Sequence, residues 1–131
     1  MEEDAIVRKF QKELNSGTAS LVVLGLMDRL AEPLYGYQIA KLLEALADGR
    51  LPMKQGALYP VLRSMEANGL LESEVAPSTS APPRRYYTVT AAGNRMLARW
   101  VAIWGTTCEF IDRALTGVAE PADQDEESED V

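Results

Sequence analysis

The chain has 131 residues, no histidine and a single cysteine, and its 13 basic and 20 acidic residues leave a net charge of −7. This length suits one domain. The missing histidine removes the usual general base near neutral pH, most zinc sites and every histidine-dependent triad, while Cys108 alone makes neither an internal disulfide nor a thiolate metal cluster.

Taken in chain order, Asp4 is placed to cap a first helix in which Ile6, Val7, Phe10 and Leu14 recur at spacings of three and four. Asn15-Ser16-Gly17 is expected to break it, so that residues 1–17 form an N-terminal helix. Thr18 then caps a second helix over residues 19–31, whose "LVVLGLM" is apolar nearly all round and therefore expected to be buried. Glu32-Pro33-Leu34 interrupts, and a third helix over 35–47 sets Ile39, Leu42, Leu43 and Leu46 on one face before "DGR" ends it.

After Pro52, the positions Leu58, Val61, Leu62 and Met65 again repeat at three and four, giving a short amphipathic helix closed by Asn68-Gly69. Pro60 inside it lacks a backbone donor, so either the helix proper starts near Leu58 or its opening turn is irregular. "LLESEV" reads as a strand, "APSTSAPP" as a loop and "RRYYTVT" as the returning strand of a hairpin. Of Tyr86 and Tyr87, one must face inward, and Tyr87 is the one expected there.

Thr90 caps a last helix over 91–115. Leu97, Val101, Trp104, Cys108, Ile111 and Leu115 alternate spacings of four and three along it, as in a coiled-coil seam. A second row of Met96, Trp100, Ile103 and Phe110 widens this apolar surface, so a homodimer through the helix is the economical expectation. From Glu120 onward seven acids and no bases follow, which leaves 13 acids against 13 bases in the body. Residues 118–131 are therefore read as a disordered acidic tail. With no apolar run long enough to span a bilayer and an acidic, amphipathic start, the chain reads as cytoplasmic, nucleoid-associated and free of membrane.

Three helices, a hairpin and a trailing helix describe a winged helix-turn-helix: a mainly α (α+β) fold with a two-stranded wing and a C-terminal dimerisation helix. The winged helix spans 18–90 and the dimerisation helix 91–117. The helix from Gln55 to Met65 is then the recognition helix, with Lys54, Gln55, Tyr59 and Arg63 as its polar reach and Arg84 and Arg85 at the base of the wing. Guanidinium groups there are suited to phosphate, or to a narrow minor groove. Tyr59 reads equally as a core residue or as a contact to the DNA backbone.

"YGYQI" (35–39), "GALYPVLRSMEANGLL" (56–71), "PPRRYYTVT" (82–90) and "AAG" (91–93) together resemble the PadR family of transcriptional regulators. The likeness runs from about Leu21 to Leu115, and a single helix after the wing resembles the short subfamily. It implies a dimeric winged helix that binds a double-stranded operator, usually as a repressor, and is released by a small planar aromatic or phenolic effector. By motif it places Tyr59 and the neighbouring turn where family members meet phosphate and Arg84-Arg85 on the wing; with the polar reach of the helix, the candidate DNA contacts are Lys54, Gln55, Gly56, Tyr59, Arg63, Arg84, Arg85 and Tyr86, and no cofactor is implied. In some short relatives, tryptophans on the last helix flank a pore between subunits; Trp100 and Trp104 are the matching residues, with Leu97, Val101, Cys108, Ile111 and Leu115 around them. The other reading makes both tryptophans dimer core with no ligand.

Two departures matter. The family often opens the recognition helix with Ser-Pro and places a hydroxyl before Leu-Tyr-Pro, where this chain has Lys54-Gln55 and Ala57. The N-cap is weak and one hydroxyl contact to phosphate is missing. The rival readings are a winged helix serving only protein interaction or dimerisation, and a ligand-blind DNA-binding dimer; an enzyme is disfavoured for want of histidine, a metal cluster or a glycine-rich phosphate loop.

Overall fold

The computed structural model describes residues 2–48, 55–77 and 82–117. Four helices and three short strands follow one another as α1 (Glu2–Leu30), β1 (Leu34–Tyr35), α2 (Gly36–Ala47), α3 (Gln55–Ala67), β2 (Leu71–Ala76), β3 (Arg84–Val89) and α4 (Ala91–Thr116). The chain divides into two units, Met1–Ala98 and Arg99–Val131, with the first turns of α4 in the former.

The expected break at Asn15-Ser16-Gly17 does not occur; α1 runs through it without interruption. Thr18 is not a cap either, because its hydroxyl donates back to the Leu14 carbonyl at 3.0 Å, as a residue inside a helix does. Side-chain bonds four residues apart, Lys9 to Glu13 at 2.6 Å and Gln11 to Asn15 at 2.8 Å, support the turns that the weak formers leave exposed. One glycine costs only about 1 kcal/mol in such a helix. In the C-terminal half Ala19, Val23, Leu24 and Met27 are buried, whereas Val22 is exposed, so "LVVLGLM" has a wet side after all.

Ala31 takes a left-handed conformation (φ 53°) that ends α1, and the chain then forms β1, which the sequence reading missed. Tyr35 belongs to this strand rather than to α2, and its backbone N–H donates to Gln38 Oε1 at 3.0 Å, anchoring the first turn of the helix. The wing is therefore part of a three-stranded antiparallel sheet in the order β1-β3-β2, not an isolated two-stranded hairpin. Leu34 pairs with Tyr87 and Tyr35 with Tyr86; on the other side Ser73 pairs with Tyr87 and Val75 with Arg85.

On α2, Ile39 and Leu43 are buried as expected, but Leu46 is exposed. Leu58, Leu62 and Met65 of α3 complete the core with Leu70 and Leu71. Helix α3 begins at Gln55, so Pro60 is taken inside it and the reading that delays the helix to Leu58 is incorrect. Its end is a Schellman turn: Gly69 (φ 78°) donates to the Glu66 carbonyl at 3.0 Å and Leu70 to Met65 at 2.9 Å. Thr90 caps α4 as expected, accepting from the Gly93 N–H at 2.9 Å while donating to the Gly69 carbonyl at 2.7 Å. Thr90 N–H also reaches the Leu70 carbonyl at 3.1 Å, so the end of α3 and the start of α4 share one junction.

That junction leaves no room for a side chain at Gly93, where a Cβ would collide with the Leu70 carbonyl oxygen and press on Val89 Cγ1 at 3.0 Å. Gly17 has nothing within 4 Å of the same position. In thermal or urea unfolding, Gly93→Ala is expected to lose about 1–3 kcal/mol or more, and Gly17→Ala to gain roughly 0.5–1 kcal/mol, the second only if α1 is continuous.

Candidate nucleic-acid interface

Strand alternation decides where the wing arginines go. Tyr87 is 5% exposed, so its face of β3 is the inner one, and Arg85 shares that face because it lies two residues away. Arg84 and Tyr86 project to the opposite side. There the Arg84 guanidinium lies over the Tyr35 ring, 4.4 Å from its centroid, and the Tyr35 and Tyr86 rings meet edge to face at 5.4 Å. The two arginines are thus not a single paired grip: β1 supplies a stacking partner to one and leaves the other to the side of α3.

Arg85 is exposed, yet its guanidinium is held against the strand pair. Its Nη1 donates to Ser73 Oγ at 2.9 Å, and Ser73 Oγ in turn donates to Glu66 Oε2 on the last turn of α3 at 2.6 Å. This chain of bonds joins α3, β2 and β3. Burial raises the Tyr87 phenol above its ordinary value of 10.0, Glu66 adds to the rise, and Arg85 and Arg63 oppose it. One phenol therefore senses two cations from two different elements, α3 and β3.

The remaining candidates are placed as follows. Gly56 is exposed in the first turn of α3, Arg63 is exposed on its third turn, and Tyr59 is half-buried against α2, where a Cβ on Gly36 would sit 2.7 Å from its ring. Gln55 opens the helix. Lys54 lies outside the described residues, as do the tip of the wing at 78–81 and the acidic tail at 118–131. On α4, Leu97, Trp100 and Cys108 are half-exposed, while Val101, Trp104, Ile111 and Leu115 are exposed within the chain, Leu115 to 79%. An open cleft of about 260 Å³ lined by Met27, Asp28, Glu32 and Thr88 includes none of these candidates. No helix among the described residues is long and apolar enough to cross a membrane.

Sequence reasoning missed Tyr35, Ser73 and Glu66. A tyrosine before a helix, a serine between glutamates and a glutamate on a polar face carry no signal until the strand register brings them to the arginines.

The model of the transcriptional regulator PadR-like family matches residues 23–99. Among solved structures, a PadR family transcriptional regulator from Eggerthella lenta DSM 2243 is 37% identical with a TM-score of 0.72, over 88% of this chain and 96% of that one. A PadR-like transcription factor from Bacteroides fragilis is 28% identical with a TM-score of 0.65, over 81% of this chain and 98% of its own. A transcriptional regulator from Clostridium thermocellum is 25% identical with a TM-score of 0.69, over 77% and 93%. No curated protein matches the chain.

The raised phenol has a consequence for stability. Tyr87 holds its proton more tightly in the folded chain, so its contribution is complete below the ordinary value of 10.0 and is lost as pH rises through the higher folded value. The unfolding free energy is expected to fall once pH passes about 10, and Tyr87→Phe is expected to flatten that part of the decline in urea titrations.

Proposed function

Because this chain belongs to the PadR-like family of transcriptional regulators, we propose that it is a homodimeric repressor that binds a roughly palindromic operator and releases it when a planar aromatic effector binds. Regulators of this family act on DNA and are not enzymes. The observation that carries the DNA reading is the convergence of Arg63 on α3 and Arg85 on β3 around Tyr87, two exposed cations on one side of a winged helix. A helix of this width enters the major groove of B-DNA while the wing lies against the adjoining backbone, and Arg84, Tyr59, Tyr86, Gln55 and Gly56 are assigned supporting contacts. A body neutral overall, with the net negative charge carried from Glu120 onward, does not oppose such binding as the net charge of −7 suggests.

The dimer reading is supported by the apolar side chains that α4 leaves uncovered along one face: Val101, Trp104, Ile111 and Leu115, the last exposed to 79%. Monomeric proteins rarely leave so contiguous a stripe in water. Ile6, Val7, Phe10 and Leu14 of α1 are also uncovered. Effector binding beside Trp100 and Trp104 would act by shifting the dimer between two states of unequal affinity for operator.

Duplexes selected from a random pool by the wild-type chain provide the test. With both Arg84 and Arg85 replaced by alanine, affinity is expected to drop about 10- to 100-fold, and the slope of log K against log salt to shrink by about two. Unchanged affinity and slope would remove the wing from the interface. In sedimentation equilibrium, Trp104→Glu is expected to shift dimer toward monomer and to weaken operator binding with it, whereas a monomeric wild type would end the dimer reading.

A further inference from the structure

Glu66 is a puzzle for a DNA-binding face. It sits on the last turn of α3, three residues beyond Arg63, where a carboxylate repels phosphate. Its carboxylate, however, is already engaged. Ser73 Oγ is 2.6 Å from Glu66 Oε2, the short separation of a hydroxyl donating to a charged oxygen, and Arg85 Nη1 is 2.9 Å from the same Ser73 oxygen. A serine has one hydroxyl proton, and Glu66 takes it. The lone pairs of Ser73 then face away from Glu66, toward Arg85. The direction of the hydroxyl is thus fixed by the carboxylate, and the serine becomes an acceptor suited to a guanidinium.

We propose that Glu66 and Ser73 are positioning residues for DNA binding: the Glu66 carboxylate orients the Ser73 hydroxyl, and that hydroxyl holds Arg85 extended beside the recognition helix before DNA arrives. The proposal rests on the DNA-binding reading above and specifies how its wing cation is prepared. One of the five guanidinium N–H groups of Arg85 is committed to Ser73, and four remain for a phosphate. An arginine free in water surrenders most of its rotamer freedom when it grips a phosphate; one already held surrenders less. The same bonds tie β3 to α3 through β2, so the cation on the wing and the side chains of the recognition helix keep a fixed separation. Arg84 has a different restraint, the Tyr35 ring on the opposite face of the sheet, and lies outside this relay.

Affinity for one duplex, selected from a random pool by the full-length wild type, decides the matter through a double-mutant cycle. Ser73→Ala is expected to weaken binding about three- to tenfold. In an Arg85→Ala background the same change is expected to have no further effect, because the group it positions has gone. Ser73→Thr keeps the hydroxyl in a residue well suited to a strand and is expected to bind as the wild type does. Circular dichroism melts of each variant identify any loss that comes from unfolding. If Ser73→Ala weakens binding equally with and without Arg85, or if Ser73→Thr fails while folded, the relay is not a positioning device and the proposal is overturned. If Ser73→Ala binds normally while Arg85→Ala does not, the proposal alone falls. A wild type that selects no duplex at all overturns both the DNA-binding reading and the relay.

Discussion

The register of β3 against its two neighbours is the constraint on which the rest depends. As the middle strand, β3 pairs Tyr87 with Leu34 on one side and with Ser73 on the other, and this fixes which of its residues enter the core. A slip of one residue would send Arg84 and Tyr86 inward and Arg85 and Tyr87 out to solvent. The cost would be the lost burial of Tyr87, which this register keeps at 5% exposure. Burial of Tyr87 with Leu34 and Leu71 therefore secures the register, and the register in turn delivers Arg85 to Ser73 and Arg84 to Tyr35.

How much of this could be read from the chain depended on the range of the interaction involved. The cap at Thr90, the stop at Asn68-Gly69 and the inward tyrosine are local features, legible from one residue type and its neighbours. The break expected at Asn15-Ser16-Gly17 does not form, because the turns on either side, through their i,i+4 pairs, carry the helix across three weak helix formers. Strand β1 was invisible because two residues have no periodicity, and Leu34-Tyr35 becomes a strand only by pairing with β3. The contacts made by Tyr35, Ser73 and Glu66 belong to the same class. Each joins segments distant in sequence, and only the fold brings them together.

The distribution of charge has a similar lesson. A net charge of −7 describes a chain whose first 119 residues are balanced, so the sign of the total says little about any one face. What governs contact with a polyanion is the local arrangement, in which Arg63 and Arg85 share a neighbourhood and Glu66 is occupied by a hydroxyl rather than presented bare.

The junction at Thr90 fixes how α4 starts. Its opening turn is bonded to the carbonyls of Gly69 and Leu70, directly past the end of α3, with Gly93 seated so close that no side chain cushions the contact. The first turn of α4 and the end of α3 therefore meet through two carbonyls, with no side chain between them to give way.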